Sequence, residues 1–137
     1  MRDPVRFINS LPSGWVKEMG ISVLEASADR VTCEWEVSEK HHQGYGIVHG
    51  GVHAGVIETI ASLGAAIAAR PNRVVGLENS TSFIRAVRAG RLHAEARPVS
   101  RGRTTQVWEA SILDEHEHVI AVGRVRLLCL EPERRLG

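Results

Sequence analysis

The chain has 137 residues, 24% of them charged, and a formal net charge of +1 at pH 7. That length suits one domain with a genuine core, although a chain this small often gains stability by oligomerising. So small a net charge provides no strong field to recruit nucleic acid or an anionic membrane, and the N-terminus MRDPVRFINS lacks the apolar run of a signal peptide.

Residues 1–18 are mixed in character, contain Pro4 and Pro12, and read as an N-terminal extension, either a tail or a short helix. From Ile21 to Val37 apolar residues alternate (Ile21, Val23, then Val31, Cys33, Trp35, Val37), the period of half-buried strands, with a turn at Ala28-Asp29. Residues 38–48 are polar, carry Gly44 and Gly46, and predict a loop. Residues 51–69 form an apolar segment about five turns long. After Pro71 the alternation resumes over 73–86, 90–100, 104–114 and 118–130, with breaks at Ala89-Gly90, Arg101-Gly102 and 114–117 that suit an antiparallel meander. Residues 131–137 read as a tail. One long helix followed by a run of strands is an α+β arrangement in a single domain, the helix covering one sheet face. Cys33 and Cys129, the only cysteines, lie in alternating stretches at a spacing that matches no zinc pattern. They are expected as buried free thiols in a reducing compartment, hence a cytoplasmic protein.

The helical segment GVHAGVIETIASLGAAIAA is apolar almost all round, so it is buried on most sides. A membrane span is the alternative, but alanine and glycine dominate and Glu58 sits in the middle. Gly51 and Gly55 form a small-xxx-small pair and suggest close backbone packing on a sheet. Glu58 is the only Asp, Glu, Lys or Arg between Lys40 and Arg70. A carboxylate there costs several kcal/mol in desolvation unless it is partnered or protonated. An exposed stripe or a buried arginine partner would explain it without chemistry. Ser62, one turn along the same face, is placed to hydrogen-bond the carboxylate or hold a water beside it. At the helix entrance, His49-Gly50-Gly51 offers unpaired N–H groups, a positive dipole end and no Cβ in the way of a substrate. Such an entrance can polarise a carbonyl oxygen as an oxyanion hole does, or serve only as a cap. His41, His42, His49 and His53 raise the question of a metal, but no Cys or Asp completes a conventional set, and none is expected.

The run QGYGIVHGGVHAGVIETIAS (43–62), continued by VVGLENSTSFIRAVRAGRLHAEA and SRGRTTQVWEASILDEHEHVIAVGRVRL, resembles hotdog-fold thioesterases of the phenylacetic-acid-degradation type. It is most similar to the 4-hydroxybenzoyl-CoA thioesterase branch, which carries a glutamate on the central helix. The resemblance spans roughly residues 18–130. It implies a hotdog fold, with a long central helix wrapped by an antiparallel sheet of five or six strands. It also implies acyl-CoA hydrolysis without a cofactor, CoA being part of the substrate. In that branch the glutamine orients substrate or water, the glycine N–H polarises the thioester carbonyl, and the glutamate attacks or activates water. These roles fall on Gln43, Gly50 and Glu58, with His49 and Gly51 beside the substrate. Ser62 stands where the branch commonly has threonine, keeping the hydroxyl and losing a methyl. The family assembles as dimers with continuous sheets that join into tetramers, so that Gln43 and Gly50 of one chain would face Glu58 of another.

Six arginines fall within 85–103, and arginine suits the phosphates of CoA by charge and by its forked donors. Arg101, Arg103 and Thr104 at a strand-to-strand break are the favoured set, with Arg88 behind them. Solubilising surface arginine accounts for any one of them taken alone. Two other functions compete with hydrolysis. One is a hotdog acyl-thioester dehydratase using His49 with Glu58; the other is a non-catalytic acyl-CoA-binding module.

Overall fold

The apolar run folds as a 20-residue helix, and each alternating stretch becomes a strand. In this computed structural model, which describes residues 3–137, the order is α1 (Pro4–Asn9), α2 (Trp15–Met19), β1 (Ser22–Ala26), β2 (Val31–Glu36), α3 (Gly50–Ala69), β3 (Arg73–Phe83), β4 (Arg91–Arg101), β5 (Thr105–Leu113) and β6 (Val119–Leu130). The six strands form one sheet in the order β1-β2-β4-β5-β6-β3, antiparallel throughout. The sheet wraps α3, as the resemblance implies; the hydrophobic pattern itself predicts the α+β arrangement with the helix against one sheet face.

Period-two patterning sends Leu92, Ala94 and Ala96 of β4, Trp108, Ala110 and Ile112 of β5, and Val125 and Leu127 of β6 to the inner face. There they meet Val56, Ile57, Ile60, Ala61 and Ala65 of α3, all fully buried. A Cβ on Gly64 would fall 2.4 Å from the Trp108 ring, so only glycine lets this tryptophan lie against the helix backbone. The indole N–H donates to Gln106 Oε1 (2.8 Å), and Gln106 Nε2 donates to the Ala65 carbonyl (3.1 Å). The polar atoms that come with this burial are thereby paired.

The glycine pair noted in the sequence works differently from expectation. A Cβ on Gly55 would lie 2.6 Å from the ring of Trp15, which belongs to α2 and not to the sheet. Gly51 faces its own neighbour, His49. Gly55 and Gly64 are nine residues apart, about 180° around the helix. One tryptophan therefore covers the outer side of α3 and another the inner side. This is why the segment is apolar all round, although by length and composition it would also suit a bilayer. The N-terminal extension is two short helices rather than one.

The two sheet edges are treated unlike each other. β1 is short and bulged, and the Asn9 side chain pairs with Val23 through both backbone groups (2.9 and 2.8 Å), standing in for a neighbouring strand. β3 is eleven residues long and has β6 on one side only. Beyond Phe83 the Ile84 and Arg85 N–H groups both turn to the Ile120 carbonyl, which ends β3 three residues before the alternation predicts.

Candidate active site

The loop before α3 is built to deliver the helix N-terminus. His41 is buried; its Nδ1 accepts from the Ser38 N–H (2.9 Å) and its Nε2–H donates to the Met19 carbonyl (2.8 Å), which fixes the tautomer. Gln43 N–H donates to Ile47 O, and Gly46, at φ 78°, donates back to Gln43 O. Val48 is tied to Val87 and His49 to the His41 carbonyl. His49 then caps α3: its Nδ1 accepts from the Gly51 N–H at 2.8 Å. Gly51 is thus already satisfied, and among the described residues the Gly50 N–H has no partner. A Cβ on Gly50 would lie 2.5 Å from the Phe83 ring, so that ring rests on the backbone at the helix entrance.

Glu58 follows two turns later. Its Oε1 accepts from Asn79 Nδ2 (3.1 Å), which also donates to the Ala54 carbonyl one turn earlier (2.9 Å). Asn79 Oδ1 in turn accepts from Thr81 Oγ1 (2.6 Å). Glu58 Oε2 lies 2.3 Å from where a Cβ on Gly76 would be. The carboxylate opens into a cleft lined by Ala54, Gly55, Asn79, Thr81 and Phe83. The partner of Glu58 is therefore Asn79, not Ser62, whose hydroxyl makes no hydrogen bond to it. A larger concavity on the outer sheet face holds Glu95 and Glu109. Those acids already face arginines: Glu95 meets Arg30 and Arg97, and Glu109 meets Arg124.

Other expected site residues are dispersed within one chain. Gln43 Oε1 accepts from the Tyr45 N–H and does not line the Glu58 cleft. Arg88 donates to the Tyr45 carbonyl (2.8 Å), bracing that same loop. Arg101 donates to Ala28 O and Asp29 Oδ1, both at 2.7 Å. Arg103 lines a separate cleft with Arg101, Asn72 and Gln106 at the far end of α3, near Ala68 and Ala69, and the Thr104 carbonyl is taken by the Cys129 N–H. The arginine set is split between the two ends of the helix. Gly50 and Glu58 are themselves eight residues apart, a rise of about 12 Å. Asn79, Thr81 and Gly76 escaped the sequence reading. Their signal was present: Asn79 and Thr81 are polar residues at two inward positions of a strand, where the period calls for apolar ones.

Residues 45–121 match the family model described as the thioesterase superfamily. The chain is 36% identical over 112 residues to the 1,4-dihydroxy-2-naphthoyl-CoA hydrolase of Listeria monocytogenes, covering 81% of this chain and 91% of that one. The structure of thioesterase HI1161 from Haemophilus influenzae superposes with a TM-score of 0.90 at 27% identity, over 100% of this chain and 96% of that one. Thioesterase SAV0944 of Staphylococcus aureus is 28% identical, with a TM-score of 0.80 over 83% of this chain and 96% of its own. Solved variants of SAV0944 carry alanine for a glutamate and, separately, for a glutamine fifteen positions before it. Gln43 and Glu58 are separated by the same interval.

His53, in the first turn of α3, is 3% exposed, with its ring 6.2 Å from that of Trp35 and 6.3 Å from that of Phe83. Its Nδ1 is buried without a partner, and burial pushes its pKa down to about 4. The folded protein therefore holds a neutral imidazole over a range where the unfolded chain takes up a proton, so stability falls as pH drops from about 6.5 towards 4. Urea titrations from pH 7 to pH 4 should show wild type losing about 3 kcal/mol at most through this residue, a loss absent from His53→Phe. Identical pH slopes for the two proteins would contradict the assignment.

Proposed function

Because the chain belongs to the thioesterase superfamily and is a thioester hydrolase, we propose that its substrate is an acyl-CoA and that Glu58 carries the chemistry. The observation that carries this reading is the seat of Glu58. It is a lone helical carboxylate, bound by one amide donor and open to a cleft beneath Phe83. The thioester carbonyl rests on the Gly50 N–H, where developing negative charge meets the positive end of α3. Glu58 then acts by one of two routes. As a nucleophile it forms an acyl anhydride that water opens. As a general base it takes a proton from water held by Gln43 and Ser62. In both routes CoA leaves as a thiolate, which needs no strong general acid. The glutamate–glutamine spacing shared with SAV0944 supports the pairing of Gln43 with Glu58.

Gly50 and Glu58 of the same chain are poorly matched to a single carbonyl. A helical rise of about 12 Å separates their backbones, whereas reacting atoms meet at roughly 3–3.5 Å. The site we propose lies between two copies, with Gln43 and Gly50 of one facing Glu58 of the other. The uncovered edge of β3 is the surface that pairs them, and dimers join into a tetramer. The acyl group we propose is aryl or arylacetyl; the Listeria relative is named for an aromatic acyl-CoA. Arg103, whose guanidinium has no hydrogen-bond partner among the described residues, is the arginine best placed to hold a CoA phosphate, with Arg101 and Thr104 beside it.

Glu58→Gln should lower kcat by at least about a hundredfold while leaving the fold and CoA affinity intact. Release of free thiol from acyl-CoAs, followed with a thiol-trapping dye, measures this; near-normal turnover in the folded variant would end the mechanism. Arg103→Ala should raise KM about threefold or more for a CoA ester and much less for the corresponding pantetheine ester. Equal effects on both esters would remove the phosphate role. Analytical ultracentrifugation of the active enzyme should give a dimer or tetramer, and an active monomer would sink the shared site.

A further inference from the structure

Strand β3 does more than border the cleft. The Asn79 amide lies between two acceptors, the Ala54 carbonyl and Glu58 Oε1, neither of which can donate. The end facing them must be the NH2, since an amide oxygen there would oppose two other oxygens. Its Oδ1 consequently points the other way, where the Thr81 hydroxyl meets it at 2.6 Å. Two glycines provide the room. A Cβ on Gly123, the β6 residue paired with Thr81, would lie 2.6 Å from Thr81 Oγ1. One on Gly76 would lie 2.3 Å from Glu58 Oε2. Oε2 itself makes no hydrogen bond among the described residues.

We propose that Asn79, locked by Thr81, is the positioning residue of this site, holding Glu58 through Oε1 so that Oε2 is the oxygen that acts. The inference rests on Glu58 as the reactive carboxylate and adds how that carboxylate is aimed. Left to itself, a glutamate side chain samples several rotamers. Asn79 removes that freedom before substrate arrives and leaves one oxygen unengaged. Thr81 acts through Asn79, by preventing the amide from turning its oxygen towards Glu58. Gly76 keeps clear the space that Oε2 occupies.

The test is steady-state hydrolysis by the assembled enzyme of the best substrate among benzoyl-, phenylacetyl- and 4-hydroxybenzoyl-CoA, with thermal unfolding measured on each variant. Asn79→Ala and the equally sized Asn79→Asp should each lower kcat about tenfold or more, with KM changed less than about twofold. Thr81→Val should lower kcat about threefold, and Thr81→Ser, which restores the hydroxyl, should return it to the wild-type value. A Cβ at position 76 displaces Oε2, so Gly76→Ala should also lower kcat. Wild-type kcat in both Asn79 variants would overturn the proposal, as would a rise in KM without loss of kcat, which would make Asn79 a substrate contact. Should the Asn79 variants fail to assemble, the Thr81 pair decides: equal losses in Thr81→Val and Thr81→Ser would overturn it. An active Glu58→Gln enzyme would instead defeat the reading of Glu58. An inactive Glu58→Gln beside fully active Asn79 variants would defeat only the positioning role.

Discussion

A single carboxylate stands on an otherwise uncharged helix, and the placement of strands and glycines around it follows from that charge. Buried without partners, Glu58 would cost several kcal/mol, more than a small domain can lose lightly. The fold resolves this by geometry. The flank of α3 that bears Ile57, Ile60, Ala61 and Ala65 faces the middle of the sheet and is fully buried. Glu58 faces β3, an edge strand, where it keeps access to a cleft and gains an amide donor. A charged group is thus kept beside a core without being enclosed by it.

That solution requires small residues at set places. Gly76 leaves room for the carboxylate, Gly123 for the threonine that holds the amide, and Gly50 for the Phe83 ring at the helix entrance. The same economy of volume packs the helix itself. Trp108 lies against Gly64 from the sheet side, and Trp15 lies against Gly55 from the N-terminal side. A helix lined with alanine and glycine has little side-chain area of its own to bury, so the two large rings supply the dispersion contacts that its small residues cannot. The segment before β1 is therefore part of the core's cover, and Asn9 extends that cover to the strand edge.

Within one chain the elements of the proposed site are spread along α3. Phe83 touches Gly50 at the helix start and lines the cleft at Glu58, while a helical rise of about 12 Å separates the backbones of those two residues. The arginines divide likewise: Arg88 braces the loop at the N-terminal end of α3, and Arg101 and Arg103 stand at the C-terminal end. Both separations follow from a rigid 20-residue helix with loops gathered at its two ends. The proposed pairing across the open edge of β3 would bring opposite ends together, which ties the proposed chemistry to assembly.

The order of the long helix and the six strands is legible in the chain, because hydrophobic period is a local property: 2.0 for the strands, near-continuous apolarity for the long helix. It also singled out Glu58, because an uncompensated charge among apolar neighbours is visible without coordinates. Gly50 at the helix start could be read in the same way, from residues adjacent in the chain, whereas the His49 side-chain cap could not. Which side chain partners which is set by tertiary packing. Asn79 lies twenty-one residues beyond Glu58, and it reaches the carboxylate only because β3 runs alongside α3 at the edge of the sheet. Ser62, the partner suggested by helical spacing, makes no such bond. Gly55 meets Trp15 for the same kind of reason, and Arg101 is bonded to the β1–β2 turn because strand order brings that turn beside it. Periodicity fixes which face a side chain takes. Strand order and register fix what that face meets, and those arise from the packing of the whole chain.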